Sequence, residues 1–234
     1  MGQIKPSSVL GVEDTPLSSK TPSLGKERLQ WVRPPVQERS QKTMERLLAA
    51  AEARIVEVGF DKATIADIAK RADSSVGAFY ARFADKDALL RCLLDRFVFE
   101  AKATMDAAMQ PELWAEASVQ DLCVSLLSFL SNVLQQRRLF VLAISKATMD
   151  DAGLAEYRDA LSMHAATGLE RLIRARDVEV ATTNLGKAMR VVTWMCLSVL
   201  EAGCMQPGEM VGGVAREELV LELSKMIVVY LDLE

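Results

Sequence analysis

The sequence predicts an all-α protein, and three observations carry that reading. Half of its 234 residues are hydrophobic, yet only 6% are aromatic. Leu, Ala, Met, Glu and Arg, all good helix formers, dominate, while the breakers are sparse, with 12 Gly and 7 Pro. Apolar residues recur at steps of three and four, whereas strand-like alternation is scarce; MIVVYLDL near the end is the nearest case. A chain of this length and apolarity can bury a sizeable core.

Taken in order, residues 1–36 are rich in Ser, Pro, Thr and Gly and lack periodicity, so they read as a disordered arm ending in VRPP. From there Met44, Leu48, Ala51, Ile55 and Val58 form one face of a helix. Gly59 follows as its C-terminal cap, and Phe60 can fold back on it. Thr64 opens a short helix, TIADIAKRA, with Asp67 three residues on as a capping-box variant. ADSS breaks it: Asp73 tolerates a left-handed turn, and Ser75 can cap the next helix. A long helix follows from ADKDALL, capped by Asp85, with Leu90, Leu93, Phe97 and Ala101 on one face. Beyond it, further helices are expected near 114–136, 138–149, 152–177, 183–205 and 214–233, several of them apolar over more than one stripe and so buried on two sides.

The net charge of −4 argues against nucleic acid only when taken whole. From Arg39 to Arg96 there are 11 basic and 9 acidic residues; from Phe97 to the end there are 12 and 19. A weakly basic first part therefore precedes an acidic second part, which permits a nucleic-acid site in the first. Cys92, Cys123, Cys196 and Cys204 lie among apolar neighbours without CxxC spacing and read as buried thiols in a reducing compartment. The stretch MGQIKPSSVLGVEDTPL holds no continuous apolar core of signal-peptide length, and the longest apolar runs fall short of a membrane span. The expectation is a soluble, cytoplasmic protein without a membrane partner.

The stretch SSVGAFYARF, residues 74–83, is the most informative. On a helical wheel Val76, Phe79 and Phe83 fall together and anchor the helix, while Gly77, Ala78, Ala81 and Arg82 point outward and Tyr80 sits at the boundary. A helix entering a DNA major groove must bring its backbone near base edges and phosphates, and small outward residues permit that approach. With the preceding helix and turn, residues 63–82 form a helix-turn-helix. Taken alone, a small face also serves close helix packing in an ordinary αα-corner. Lys86 opens the long helix, where the dipole disfavours a cation; a bound phosphate would reconcile the two, and a solvated surface lysine is the alternative.

RLLAAAEARIVEVGFDKATIADIAKRADSSVGAFYARFADKDALL, with Gly59-Phe60, Thr64, Ile68-Ala69, Ala72, Ser75, Gly77, Phe79-Tyr80, Phe83, Lys86 and Leu89-Leu90, resembles the N-terminal domain of the tetracycline-repressor (TetR) family of transcriptional regulators. The resemblance covers residues 39–100, leaving 101–234 as a helical ligand-binding and dimerisation domain. It departs from the family at Asp73, where a turn glycine is usual, and at Ser74, which replaces an apolar residue. It implies an Ω-shaped homodimer reading a palindrome in double-stranded DNA and released by a small-molecule effector, with no cofactor. By position it puts Ser75, Gly77, Ala78 and Arg82 near bases and Thr64, Tyr80 and Lys86 on phosphates. Arg39 and Lys42 are candidates for further backbone or minor-groove contacts, or for simple solvation.

No motif marks the second part. Phe129, Phe140, Met149, Tyr157, His164 and Trp194 are the large, polarizable or polar residues a ligand cavity would use, or else plain core. His164, the only histidine, has no Cys or carboxylate at ligand spacing, so no metal site is expected. Leu219, Leu223, Ile227 and Tyr230 make the candidate dimer stripe on the last helix. No nucleophile–base pair, P-loop or G-x-S-x-G is legible, so an enzyme is not expected; an interaction protein whose helix-turn-helix merely packs is the other alternative.

Overall fold

The computed structural model describes residues 38–150, 152–176, 184–206 and 210–233; the arm expected at 1–36 lies outside them. In chain order its helices are α1 (Glu38–Val58), α2 (Ile65–Arg71), α3 (Val76–Tyr80), α4 (Lys86–Ala108), α5 (Val119–Gln136), α6 (Arg138–Asp150), α7 (Ala152–Arg174), α8 (Leu185–Met205) and α9 (Arg216–Leu231). The all-α expectation holds. One small exception is a hairpin of β1 (Met210–Val211) and β2 (Val214–Ala215), paired antiparallel with Val211 opposite Val214. Its two-residue turn is Gly212-Gly213, both at positive φ, the backbone that matches strand twist in such hairpins. The sequence read this stretch only as a break. MIVVYLDL, the nearest strand candidate, falls in and just after the end of α9.

The described residues group into two compact units: 38–100 with 137–157, and 101–136 with 158–233. α4 contributes its residues up to Glu100 to the first unit and the remainder to the second. The first unit is larger than the expected head at 39–100, because α6 returns to it. Phe140 and Ala143 of α6 are buried in the head's core beside Leu47, Ile55, Leu89 and Leu93. The Phe140 ring meets Phe97 edge-on at 5.6 Å. Arg137, just before α6, pairs with Glu52 at 2.9 Å, and Glu52 also accepts from Arg96.

Local signals explain why the head's helices start and stop where they do. Gly59 (φ 83°) ends α1 and donates its N–H to Ile55 O at 2.8 Å. Thr64 Oγ1 accepts from the Asp67 N–H at 3.1 Å and caps α2. Asp85 Oδ1 accepts from the Ala88 N–H at 2.7 Å and caps α4. Each cap satisfies backbone groups that a helix end leaves open, worth about 1 kcal/mol apiece.

In the second unit α5 packs on α8 and α9, and α8 on α9. α5 starts at Val119 rather than near 114, because Ser118 Oγ accepts from the Asp121 N–H at 3.0 Å and caps it there. Residues Pro111–Trp114 form a 3-10 turn instead, with the Trp114 indole donating to Ala108 O at 2.7 Å. Arg176 closes over this turn, donating to Trp114 O and Ala117 O. Among the described residues, α8 alone is long and apolar enough to cross a membrane by length and composition, and nearly half of that stretch is buried within the unit.

Candidate nucleic-acid interface and ligand cavity

The turn between α2 and α3 is built from backbone hydrogen bonds. The Ser74 N–H reaches back to Ala69 O at 2.9 Å and the Asp73 N–H to Lys70 O at 3.2 Å. These are the two bonds of a Schellman cap, with Asp73 in the left-handed position at φ 47°. An aspartate there costs more than glycine would. Arg46 of α1 lies against it, 3.4 Å from the Asp73 carbonyl and 3.6 Å from its carboxylate. Ser75 Oγ then accepts from the Ala78 N–H at 3.0 Å and starts α3.

Phe79 and Phe83 are fully buried, and their rings stand 5.2 Å apart in the head's core. Phe79 anchors α3, and Phe83 anchors the chain just after it. Val76, expected to join them, is 43% exposed: it is the first residue of a five-residue helix and stands clear of the core. Ser75, Val76, Gly77, Tyr80 and Ala81 form an exposed face, with Tyr80 at 52% and Ala78 half-buried at its edge. The smallness of Gly77 has no internal cause. Its backbone is not left-handed, and a Cβ added there would meet only Ser75 Oγ, at 3.7 Å.

Two expected residues sit differently from the simple picture. Arg82 is half-buried, with its guanidinium on Ser40 Oγ of α1. Lys86 is not a bare cation at a helix start. Its Nζ donates to Phe60 O at 2.9 Å and lies 4.3 Å from the Phe60 ring centre, tying α4 to the end of α1. The anion that the dipole argument called for is supplied in part by carbonyl oxygens of this same chain.

The second unit holds a cavity between α5, α7, α8, α9 and the last turns of α4. Phe129 lines it, as expected. Phe140, Trp194, Tyr157 and His164 do not. Phe140 belongs to the head's core, and Trp194 is 56% exposed on the outside of α8. Tyr157 is half-buried elsewhere, and His164 meets Asp106 at 2.9 Å away from the lining. The Met149 side chain, like that of Arg39, lies outside the described residues. What the sequence missed are the smaller liners, among them Met105, Met109, Leu126, Thr193 and Leu197. The only signal for them was that these helices are apolar on more than one stripe.

The expected dimer stripe is corrected as well. Leu223 and Ile227 are buried on the side of α9 that faces its own unit, and Ile227 lines the cavity. Leu219 is half-buried, and only Tyr230 is exposed. The outer face of α9 carries Leu221, Met226, Val229 and Tyr230, and that of α8 carries Val191, Trp194 and Met205.

All four cysteines are buried and none is in a disulfide. Burial, with Asp95 adding to it, pushes the Cys92 thiol up to about 12; burial, with Cys196 adding, pushes Cys123 up to about 12; burial pushes Cys196 to about 11. These three thiols are held protonated and are poor nucleophiles at neutral pH. Among the described residues no group of His, Cys, Asp and Glu is placed to hold a metal ion.

A tight turn presenting a small-faced second helix from a rigid core defines a helix-turn-helix DNA-binding head. Residues 47–93 match the family described as "Bacterial regulatory proteins, tetR family". No curated protein matches the chain. Among solved structures it is similar to a TetR-family regulator from Mesorhizobium loti MAFF303099, with a TM-score of 0.65 at 16% identity over 84% of this chain and 98% of that one. A tetR-family regulator from Streptomyces coelicolor gives 0.63 at 14% identity, covering 81% of this chain and 80% of the other. GusR from Salmonella enterica gives 0.57 at 18%, covering 84% and 98%. At these identities the structural likeness speaks to the fold, and the family match speaks to the head. Residues 47–93 thus match the helix-turn-helix head of TetR-family regulators, and the described chain shares the fold of solved TetR-family regulators.

Proposed function

We propose that this protein is a repressor that grips a palindromic operator as a homodimer and lets go when a small molecule enters the second unit. Gly77 carries the reading. Nothing in the fold requires a residue without a side chain there, whereas a helix pressed into a major groove does. α3 supplies Ser75, Gly77 and Ala78 to the base edges. The Tyr80 and Thr64 hydroxyls, both exposed, bind flanking phosphates. Lys86 adds charge from its place on Phe60, and Arg82 reaches DNA only by leaving Ser40. The dimer forms through the outer faces of α8 and α9, where Val191, Trp194, Val229 and Tyr230 are exposed. A symmetric interface repeats one apolar patch on both partners, and two heads held at fixed spacing read two half-sites. The cavity takes the effector.

The test is selection of genomic fragments by the purified full-length chain, followed by anisotropy on the recovered DNA across a salt series. A log–log slope of several units, reflecting the phosphates neutralised, together with two-fold symmetric sites, is expected. Recovery of random DNA without a salt-dependent loss overturns the reading.

A further inference from the structure

We infer that the cavity takes an uncharged hydrocarbon of about one ring, such as an alkylbenzene, held by burial and dispersion alone with no hydrogen bond to the protein. The inference rests on reading this cavity as the effector site, and it names the chemical class of the effector.

The wall carries the argument. Met105, Met109, Leu122, Met189, Val192 and Ile227 are typical of it, and among the described residues no charged side chain lines it. Its half-buried liners, Leu126, Phe129 and Leu197 among them, are apolar as well. Thr193 is the one liner with a hydroxyl, but its Oγ1 has almost no accessible surface and stands behind the wall. The thiols of Cys123 and Cys196, buried and protonated, act as soft apolar surface. Arg176 is near enough to Cys123 to oppose its rise, yet it does not line the cavity. Its guanidinium is turned onto Trp114 O at 2.7 Å and Ala117 O at 2.6 Å.

Such a wall selects by what it withholds. An ion placed here loses its hydration and gains no partner, and a neutral hydroxyl loses its hydrogen bonds to water in the same way. A hydrocarbon has no such bonds to lose and gains close contact with carbon and sulfur. Volume sets the size. The cavity measures about 120 Å³. A hydrocarbon-lined cavity of roughly 150 Å³ in another protein stays dry and binds benzene or xenon, whereas drug-sized ligands fill roughly 300 Å³ or more. The flexible thioethers of Met105, Met109 and Met189 let the wall adjust to a ring bearing short alkyl groups.

The experiment uses the full-length protein labelled with carbon-13 at the methionine methyls. Four compounds that share one ring and a one-carbon substituent are titrated: toluene, benzyl alcohol, benzoate and benzylammonium. Toluene should shift the Met105, Met109 and Met189 methyl signals saturably. Benzyl alcohol should bind about 5- to 150-fold more weakly, the range for burying an unpartnered hydroxyl, and the two ions more than about 100-fold more weakly. Ala165→Leu adds a side chain to the wall and should weaken toluene by about 10-fold or more with helix content unchanged. If that variant misfolds, the wild-type series decides alone. Any of the three polar compounds binding as tightly as toluene overturns the inference. So does a folded Ala165→Leu variant that binds toluene normally, or the absence of a saturable toluene shift at the three methyls. Adding toluene to the complex with a selected operator separates the two readings. Toluene that binds in the cavity and leaves that complex intact supports the ligand chemistry and overturns the effector role, while DNA binding itself is measured with no compound present.

Discussion

Gly77 offers a test in which stability and function move in opposite directions. Its backbone is helical and its nearest foreign atom would be Ser75 Oγ, 3.7 Å from an added Cβ, an ordinary contact. Gly77→Ala therefore adds no strain and removes a residue that is entropically costly in a helix. The gain is up to about 1 kcal/mol, or a Tm rise of roughly 2–4 °C for a chain of this size. The same methyl, and far more so the side chain of Gly77→Leu, stands on the face proposed to meet the groove. Holding the backbone away forfeits at least one base contact, about 1–3 kcal/mol or roughly 5- to 150-fold in operator affinity. Thermal denaturation by circular dichroism gives the first quantity. Anisotropy on a selected operator and on random DNA of the same length gives the second. A lower Tm for Gly77→Ala would mean that the glycine serves packing. Normal operator affinity in a folded Gly77→Leu variant would remove α3's outer face from the interface.

Other expectations follow from particular contacts. Val229→Glu with Tyr230→Glu changes only exposed positions, so the fold should hold within about 0.5 kcal/mol, while light scattering should report monomers and operator binding should fail. Leu223→Glu, by contrast, buries an unpaired charge in the protomer's own core, and circular dichroism should show unfolding. Lys86→Ala removes the bond to Phe60 O and the ring contact, costing about 1 kcal/mol of stability by denaturant titration, and should also flatten the salt slope of DNA binding by about one unit. Thr193→Val replaces an unpartnered hydroxyl with an isosteric methyl, and without ligand should be as stable as the parent or about 1 kcal/mol more so. The Cys92, Cys123 and Cys196 thiols, raised to about 12, about 12 and about 11, should not react with a disulfide reagent at pH 8 until denaturant is added.

The parts of this molecule that were legible in the sequence are those decided within a few residues. Thr64, Ser75 and Asp85 each cap a helix through an N–H three positions on, and Gly59 and Asp73 take left-handed backbone next to the helix they end. Such interactions depend on spacing alone, so spacing revealed them, and with them the helix-turn-helix. The Gly212-Gly213 hairpin was equally local, but it was passed over as a break between helices.

What spacing could not decide was which of two apolar faces turns inward. α9 presents Leu223 and Ile227 on one side and Val229 and Tyr230 on the other, and both sides satisfy a helical repeat. Only the packing of α5 against the first side leaves the second bare. Trp194 and Phe140 were misjudged for the same reason. Each is a large side chain in an apolar helix, one exposed and one sealed into the head by a helix that returns from 40 residues away. Lys86 found its carbonyl at Phe60, 26 positions back, and the hydroxyl of Thr193 is without a partner only once every neighbouring element is in place. The sequence by itself determined the helices, their caps and the small face of α3, because those are set by neighbours along the chain. Tertiary structure decided the cavity, the outer face and the lone hydroxyl, because burial and hydrogen-bond satisfaction depend on elements far apart in sequence and become defined only when those elements pack.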